Sequence, residues 1–456
     1  MRHFDVVIVG GGINGCGLLR DLALNGVSAL MIDKGDFASQ TSQGSSKMLH
    51  GGIRYLENFD FGLVQEALEE KNLWLKLTPH LCFERDFYIP LYNYSKYMPF
   101  MLKTGLFLYD FLSHFQNCPH AMLSPNETIQ KIPSLDPKGL KGAGKYYDGI
   151  VDDAKLSLEC LYDALLEPKV EALSYHEVTA TVKVSDGYEV TYKSVIGQHQ
   201  ETVKATFIVF TTGPFTDKLL PKLGIPWESQ LLPSKGIHLW LKQGSIDAKG
   251  SVVLTTRDNR VVFVIPQRNS ILVGTTESPV KEEIFDIKAS EKDIHYLLNI
   301  LKQYFPNTHL NESSIISTFA GVRPLVREGV QEDGQLGRVS RFHKIFRPDH
   351  RTYVLLGGKY TTFRRMNQEL AQEIVPRLGL RYHPNLTLNP LRQKSLMPTF
   401  GKQPKLTLDM IKQIIIQEKV TTFDDLIKRR LSLVEEPHLL KDVMGVPIND
   451  VKALFL

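Results

Sequence analysis

The apolar positions of the first forty residues change period twice. Val6 to Val9 form a continuous apolar run, as a strand covered on both faces requires. Leu18, Leu19, Leu22 and Ala23 then recur at helical spacing. Ala29 to Ile32 form a second apolar run that ends on Asp33. The pattern predicts strand, turn, helix, strand. Further along, "YHEVTATVKVSDGYEVTYKSV" alternates at period two, with Asp186-Gly187 as a hairpin turn. "GSVVLTTRDNRVVFVIPQRNSILVGTTE" predicts three more strands, turning at Asp258-Asn259 and Arg268-Asn269. Together these read as a mostly antiparallel sheet that carries a substrate cover. "KATFIVFTTGPFTDKLL" is a further buried strand that ends on small residues. "RTYVLLGGKYTTFRRMNQELAQEIVPRL" reads strand, glycine turn, helix, with Thr361 or Thr362 as cap. After about Arg381 the chain is proline-rich and linker-like. "LDMIKQIIIQEKVTTFDDLIKRRLSL" and "EPHLLKDVMGVPINDVKALFL" predict helices, with Thr421, Thr422 and Asp424 as caps.

Length and composition narrow the class. A chain of 456 residues is too long for one ordinary core. The balance of 54 basic against 50 acidic residues gives +4, too mild to argue for a nucleic-acid partner. Cys16, Cys82, Cys118 and Cys160 form no CxxC pair, which argues against zinc and iron–sulfur centres, and no metal is expected. Their wide separation suits a reducing compartment. A strand begins within four residues of the start, which leaves no room for a signal or transit peptide. No apolar run approaches the roughly 20 residues of a membrane-spanning helix.

The first turn carries chemistry. Gly10-x-Gly12-x-x-Gly15 lies between the first strand and the helix opened by Ile13 and Asn14. Gly10 permits a tight turn, Gly12 lets a pyrophosphate approach the backbone, and Gly15 lets the helix pack on the strand. The helix N-terminus presents N–H groups and a partial positive charge to phosphates. Asp33 lies 21 residues after Gly12, where a carboxylate can bond a ribose hydroxyl pair. This predicts dinucleotide binding without choosing between flavin and nicotinamide. The segment "SQTSQGSSKMLHGG" suits a run along such a cofactor: Thr41, Ser42, Ser45, Ser46 and Lys47 supply polar contacts, and Gly44, Gly51 and Gly52 close approach. His50, Arg54 and Tyr55 stand at its far end. Thr212 and Gly213, then Gly358 with Lys359, mark two later strand ends suited to the same cofactor.

These segments carry a resemblance. "VGGGINGCG", "SSKMLHGGIRYLE", "YYDGIVDDAKL", "SKGIHL", "VGTTE", "TFAGVRPL", "VSRFHKI" and "LLGGKYTTFRR" occur in order over about residues 4 to 366. The chain resembles the flavin-dependent sn-glycerol-3-phosphate dehydrogenase family. The resemblance implies FAD, glycerol 3-phosphate as substrate, dihydroxyacetone phosphate as product and a quinone as acceptor. It implies an α/β fold whose Rossmann-like FAD-binding domain, of the glutathione-reductase type, spans 1–90, 145–220 and 345–380. A mostly antiparallel substrate domain would span 91–144 and 221–344, and a short helical C-terminal domain 395–456. Phe215, Lys155, Glu277 and Phe363 stand where many relatives have Trp, Arg, Asp and Tyr. Each change keeps charge or aromatic character.

A phosphate substrate needs cations, and Arg54, Arg323, Arg341, Lys359 and Lys235 lie in the matched segments. Tyr55 joins them on the substrate side. Oxidation of an alcohol requires a proton acceptor, and histidine is the natural type. His50 is favoured for that role. His238 is the second choice or an orienting group, and basic residues such as Arg323 stabilise developing alkoxide charge. Oxygen as acceptor, or another small hydroxy acid as substrate, remain open alternatives. Residues 94 to 115, "YSKYMPFMLKTGLFLYDFLSHF", suit an amphipathic anchor lying in a membrane surface. The expected location is cytoplasmic, peripheral on the inner membrane. A role for the C-terminal unit in acceptor access or in a homodimer is open.

Overall fold

The opening strand, His3–Val9, becomes the middle of an eight-stranded sheet. The computed structural model describes residues 1–256, 260–280, 282–327, 342–400, 403–433 and 441–455. His3–Val9 pairs in parallel with Ala29–Ile32 on one side and Gln200–Phe210 on the other. Val170–Leu173 and Thr352–Gly357 extend the parallel array outward. Period-two alternation explains the two cores. Val6 and Ile8 face the helices Ile13–Leu24, Asp153–Ala164 and Phe363–Arg377. Val7 and Val9 face the other way, against Val178, Val190 and Val203. Burying each such side chain contributes about 1.5–3 kcal/mol.

The hairpin of His176–Val184 and Gly187–Ser194 forms with its turn one residue earlier than predicted, at Ser185-Asp186, so that Gly187 opens the second strand opposite Val184. It pairs through Gly187–Ser194 with Gln200–Phe210, and so covers the cofactor-side sheet rather than the substrate. Alternation specifies a half-buried strand but not the sheet it joins.

The second sheet has ten strands and is antiparallel apart from one pair, Ser251–Thr255 beside Cys82–Tyr92. It includes the three predicted strands Ser251–Thr255, Val261–Pro266 and Ser270–Gly274, and the long pair Leu231–Lys242 and Ile315–Val326. The Asp258-Asn259 turn lies outside the described residues. Boundaries at 90 and 145 fall inside strands Cys82–Tyr92 and Leu140–Val151, which pair with each other in this sheet. Helix Glu291–Tyr304 packs on one face. Helices Phe61–Leu77 and Pro99–Leu112 pack on the other.

The C-terminal unit has its own small core of Met397, Ile411, Ile414, Leu426, Ile427 and Val451. Helix Leu408–Gln417 forms as predicted, and Thr422 caps the next turn by accepting from Asp425 N. The last segment differs from its all-helical prediction. Asp442–Val443 pairs with Val446–Pro447 across a tight turn, with Gly445 at φ +90°, before the short helix Ile448–Lys452.

Candidate active site

The glycine turn and the first helix build one end of a cavity of about 720 Å³. Gly10 adopts φ +108° and donates its N–H to Ile32 O at 2.9 Å. The turn brings Gly15 so close that an added Cβ would stand 1.9 Å from Gly10 O. The helix starts without a side-chain cap from Gly12, and Ser42 Oγ accepts from Ile13 N at 2.8 Å. Asn14 Oδ1 is buried without a hydrogen-bond partner. A glycine cradle at a helix start and an orphaned polar atom beside it together fit a dinucleotide pyrophosphate and its neighbouring hydroxyls. Asp33 accepts from Gly11 N at 2.6 Å and Gly35 N at 2.8 Å. Burial pushes its carboxyl up to about 6, and these two N–H groups pull it back. Each carboxylate oxygen keeps acceptor capacity for a ribose hydroxyl.

The other end is built by three segments. A tight helical turn, Ile53–Asn58, carries Arg54 and Tyr55 into the cavity wall after Gly52 at φ +78°. Gly357 and Gly358, both at positive φ, turn the chain from strand Thr352–Gly357 toward helix Phe363–Arg377. Lys359 is buried in that turn, its Nζ 4.1 Å from the Tyr55 ring centroid. Thr361 does not cap the helix; its Oγ1 accepts from His50 N at 3.2 Å. Thr362 occupies the cap position without a capping side-chain bond, so the helix start lacks a side-chain acceptor.

Strand alternation aims the third segment. Ser234, Gly236 and His238 stand opposite Arg323, Gly321 and Phe319 on one face. Arg323 donates to Thr275 Oγ1 at 2.7 Å and Thr276 O at 3.3 Å. His238 stacks on Phe319, 4.8 Å between ring centroids, and shares a proton with Ser46 Oγ at 2.9 Å. Burial holds its imidazole well below the usual range, helped by the charges of Arg323 and Lys47. Asp148 also lines the cavity. Burial pushes it up to about 6 against Lys71, the Tyr109 hydroxyl and the Gly51 N–H.

Comparison with known proteins gives this architecture a family. Residues 5–362 match the family described as "FAD dependent oxidoreductase". The glycerol-3-phosphate dehydrogenase of Synechocystis is 32% identical over 428 residues, covering 87% of this chain and 76% of that protein. The aerobic glycerol-3-phosphate dehydrogenase of Bacillus subtilis is 32% identical over 385 residues, covering 83% and 68%. The chain belongs to the FAD-dependent glycerol-3-phosphate dehydrogenase family. The fold agrees. The FAD-complexed glycerol-3-phosphate dehydrogenase of Bacillus halodurans superposes with TM-score 0.73 at 22% identity, covering 94% of this chain and 86% of that one. An FAD-bound L-alpha-glycerophosphate oxidase of Mycoplasma pneumoniae gives 0.63 at 20%, covering 85% and 98%.

The FAD cavity of this family member collects most of the sequence-derived residues. Gly10, Gly12, Ile13, Asn14, Asp33, Thr41, Ser42, Ser45 and Ser46 line it, with Gly52, Thr212, Gly213, Gly358 and Thr361. His50, Arg54, Tyr55, His238, Arg323 and Lys359 line it too. Gly15, Gly51 and Thr362 stand behind the lining; Gly51 is needed where Leu68 and the Tyr109 hydroxyl would meet a Cβ at 2.6 Å. Two expectations are corrected. Lys235 projects from the opposite face of its strand and pairs with Glu282 and Asp293 at 2.8 and 3.2 Å. Lys47 turns from the cavity to Asp153 at 2.5 Å, because the buried carboxylate also fixes Ser45 and needs a counter-charge. Arg341 lies outside the described residues. His343 pairs with Glu369 at 2.8 Å. Sequence reasoning missed Asp148 and Thr275. Both lie inside the quoted motifs, but nothing in their spacing separates them from neighbouring acids and hydroxyls.

Proposed function

We propose that the protein oxidises sn-glycerol 3-phosphate to dihydroxyacetone phosphate and passes the electrons to a membrane quinone. The observation that carries this reading is that Arg54, Arg323, Lys359 and His50 all line the one cavity that the glycine turn also lines. Bound FAD supplies the hydride acceptor. Arg54 and Lys359 bind the phosphate, with Tyr55 backing the ammonium through its ring face. Arg323, fixed by Thr275 and Thr276, stabilises negative charge developing on the substrate oxygen. His50, its backbone held by Thr361, takes the hydroxyl proton. His238 orients the substrate: its depressed basicity suits a neutral hydrogen-bonding group better than a proton store.

A membrane role has separate support. No helix among the described residues is long and apolar enough to cross a bilayer. On helix Pro99–Leu112, Leu102, Leu106 and Tyr109 face inward, while Phe100 is 78% and Phe107 54% exposed. Met101, Phe111 and Phe115 extend this apolar face. Such a surface suits peripheral attachment, here to the cytoplasmic side of the inner membrane, with an apolar quinone within reach. Val253, Val261 and Phe263 give the cavity an apolar wall suited to the same acceptor.

The test is anaerobic mixing of the flavoprotein with glycerol 3-phosphate while the flavin absorbance is followed. Bleaching supports the substrate assignment; an unchanged spectrum, with bleaching by lactate-like hydroxy acids instead, removes it. Reoxidation by quinone faster than by air supports the acceptor, and the reverse ranking makes the protein an oxidase. His50→Asn is expected to slow flavin reduction by about 10².

A further inference from the structure

The C-terminal unit reaches the cofactor loop through four buried charges. The segment Asp33–Lys47 contains no strand or helix, yet Ser39, Gln40, Ser42, Ser45 and Ser46 within it line the FAD cavity. Something outside the segment must fix it. Asp36 lies in its middle, buried, and does not line the cavity. Both of its oxygens are taken by arginines from the C-terminal unit. Arg429 Nε donates to Oδ2 at 2.5 Å, Arg430 Nη2 donates to Oδ1 at 3.0 Å, and Arg430 Nη1 also donates to Oδ2. Arg429 pairs in addition with Asp425, so two carboxylates balance two guanidinium groups. All four side chains are at most 6% exposed.

The local backbone serves this arrangement. Leu426–Arg430 is a wide helical turn that closes Leu431 N onto Leu426 O at 2.8 Å, five residues back. It directs two consecutive arginines at one carboxylate. Arg430 is then locked by Glu418 O at 3.0 Å and Lys419 O at 3.2 Å. Two further ties reach the loop. Arg429 Nη1 donates to Gln43 Oε1 at 3.3 Å. Tyr175 donates its hydroxyl to Asp425 at 2.8 Å and its backbone N–H to Gly35 O at 2.9 Å.

We propose that the C-terminal unit is a clamp on the cofactor loop, in which Arg429 and Arg430 hold the segment Asp33–Ser46 in its FAD-receiving form. None of Asp36, Asp425, Arg429 and Arg430 lines the cavity, so they are positioning residues. The coupling is reciprocal: if docking favours FAD binding, FAD binding favours docking by the same factor. The inference does not depend on which alcohol is oxidised.

Hydrogen exchange on the full-length wild-type protein tests it directly. Amides of Phe423–Leu433 are expected to exchange more slowly in the FAD-loaded protein than in the same protein stripped of FAD. Equal exchange in the two forms overturns the clamp, because FAD reaches this segment through the loop. Arg430→Lys keeps the charge and loses the fork, and is expected to weaken FAD binding about tenfold in a flavin-fluorescence titration. With FAD saturating, the KM for the oxidisable substrate is expected to stay within about twofold. Unchanged FAD affinity, or an equal rise in KM, overturns the proposal. If Arg430→Lys does not fold, Gln43→Ala, which cuts one loop tie, is expected to weaken FAD binding by about threefold; no weakening counts against the clamp.

Discussion

Tyr109→Phe removes one oxygen from the fully buried site behind His50. The Tyr109 hydroxyl donates to Asp148, 2.8 Å from Oδ1 and 2.9 Å from Oδ2, and accepts from Gly51 N at 2.9 Å. Phenylalanine leaves Gly51 N with Asp148 Oδ1 at 3.4 Å. Burial already pushes Asp148 up to about 6; Lys71, Tyr109 and Gly51 pull it down, and Glu84 opposes them. A lost hydrogen bond to a charged group costs about 1.5–3 kcal/mol. The protonated acid loses only a neutral bond, so the difference of about 1–1.5 kcal/mol raises the folded-state value by roughly one unit. A carboxyl whose folded value lies above its unfolded one costs stability while ionised. That cost starts to shrink as pH falls through the folded value and is gone only below the unfolded one; in the variant the shrinking starts at higher pH. The deficit relative to the wild type is therefore about 1.5–3 kcal/mol at pH 8.5. At about pH 5, with Asp148 protonated in both proteins, it shrinks to the roughly 0.5–1.5 kcal/mol of a neutral bond. Thermal unfolding of the FAD-loaded protein at the two pH values reads this as a Tm deficit about one to two degrees larger at high pH. Equal deficits would refute the assignment of Tyr109 as chief support of ionised Asp148.

Four other outcomes follow from the geometry. Gly15→Ala puts a methyl 1.9 Å from Gly10 O, a backbone atom, and is expected to destabilise even the flavin-free protein by more than about 3 kcal/mol. Gly12→Ala meets the Ser42 hydroxyl at 3.0 Å, which can give way, so it is expected to keep its Tm and lose FAD in a spectral titration. Arg323→Lys keeps a charge but loses the fork held by Thr275 and Thr276; steady-state kinetics are expected to show kcat lowered about tenfold with FAD content unchanged. Phe107→Glu with Phe111→Glu is expected to abolish co-sedimentation with anionic vesicles while leaving flavin reduction intact; retained sedimentation would move the anchor elsewhere.

The amino-acid sequence by itself determined the strand, glycine turn and helix at residues 3–24, because backbone freedom at Gly10 and the periods of Val6–Val9 and Leu18–Leu22 are local properties. It also marked His50, Arg54, Arg323 and Lys359, whose motifs hold them beside turns and strand ends. Tertiary structure decided the rest. Lys235 and Arg323 looked alike as cations in matched segments, but alternation on paired strands sends Lys235 to Glu282 and Asp293 and Arg323 to the cavity. The alternating hairpin His176–Val184 and Gly187–Ser194 could have joined either sheet; pairing with Gln200–Phe210 chose the first. Lys47 was captured by Asp153, 106 residues away, and Asp36 by Arg429, 393 residues away. A buried charge is matched by whichever opposite charge the fold brings to it, and sequence spacing carries no record of that encounter.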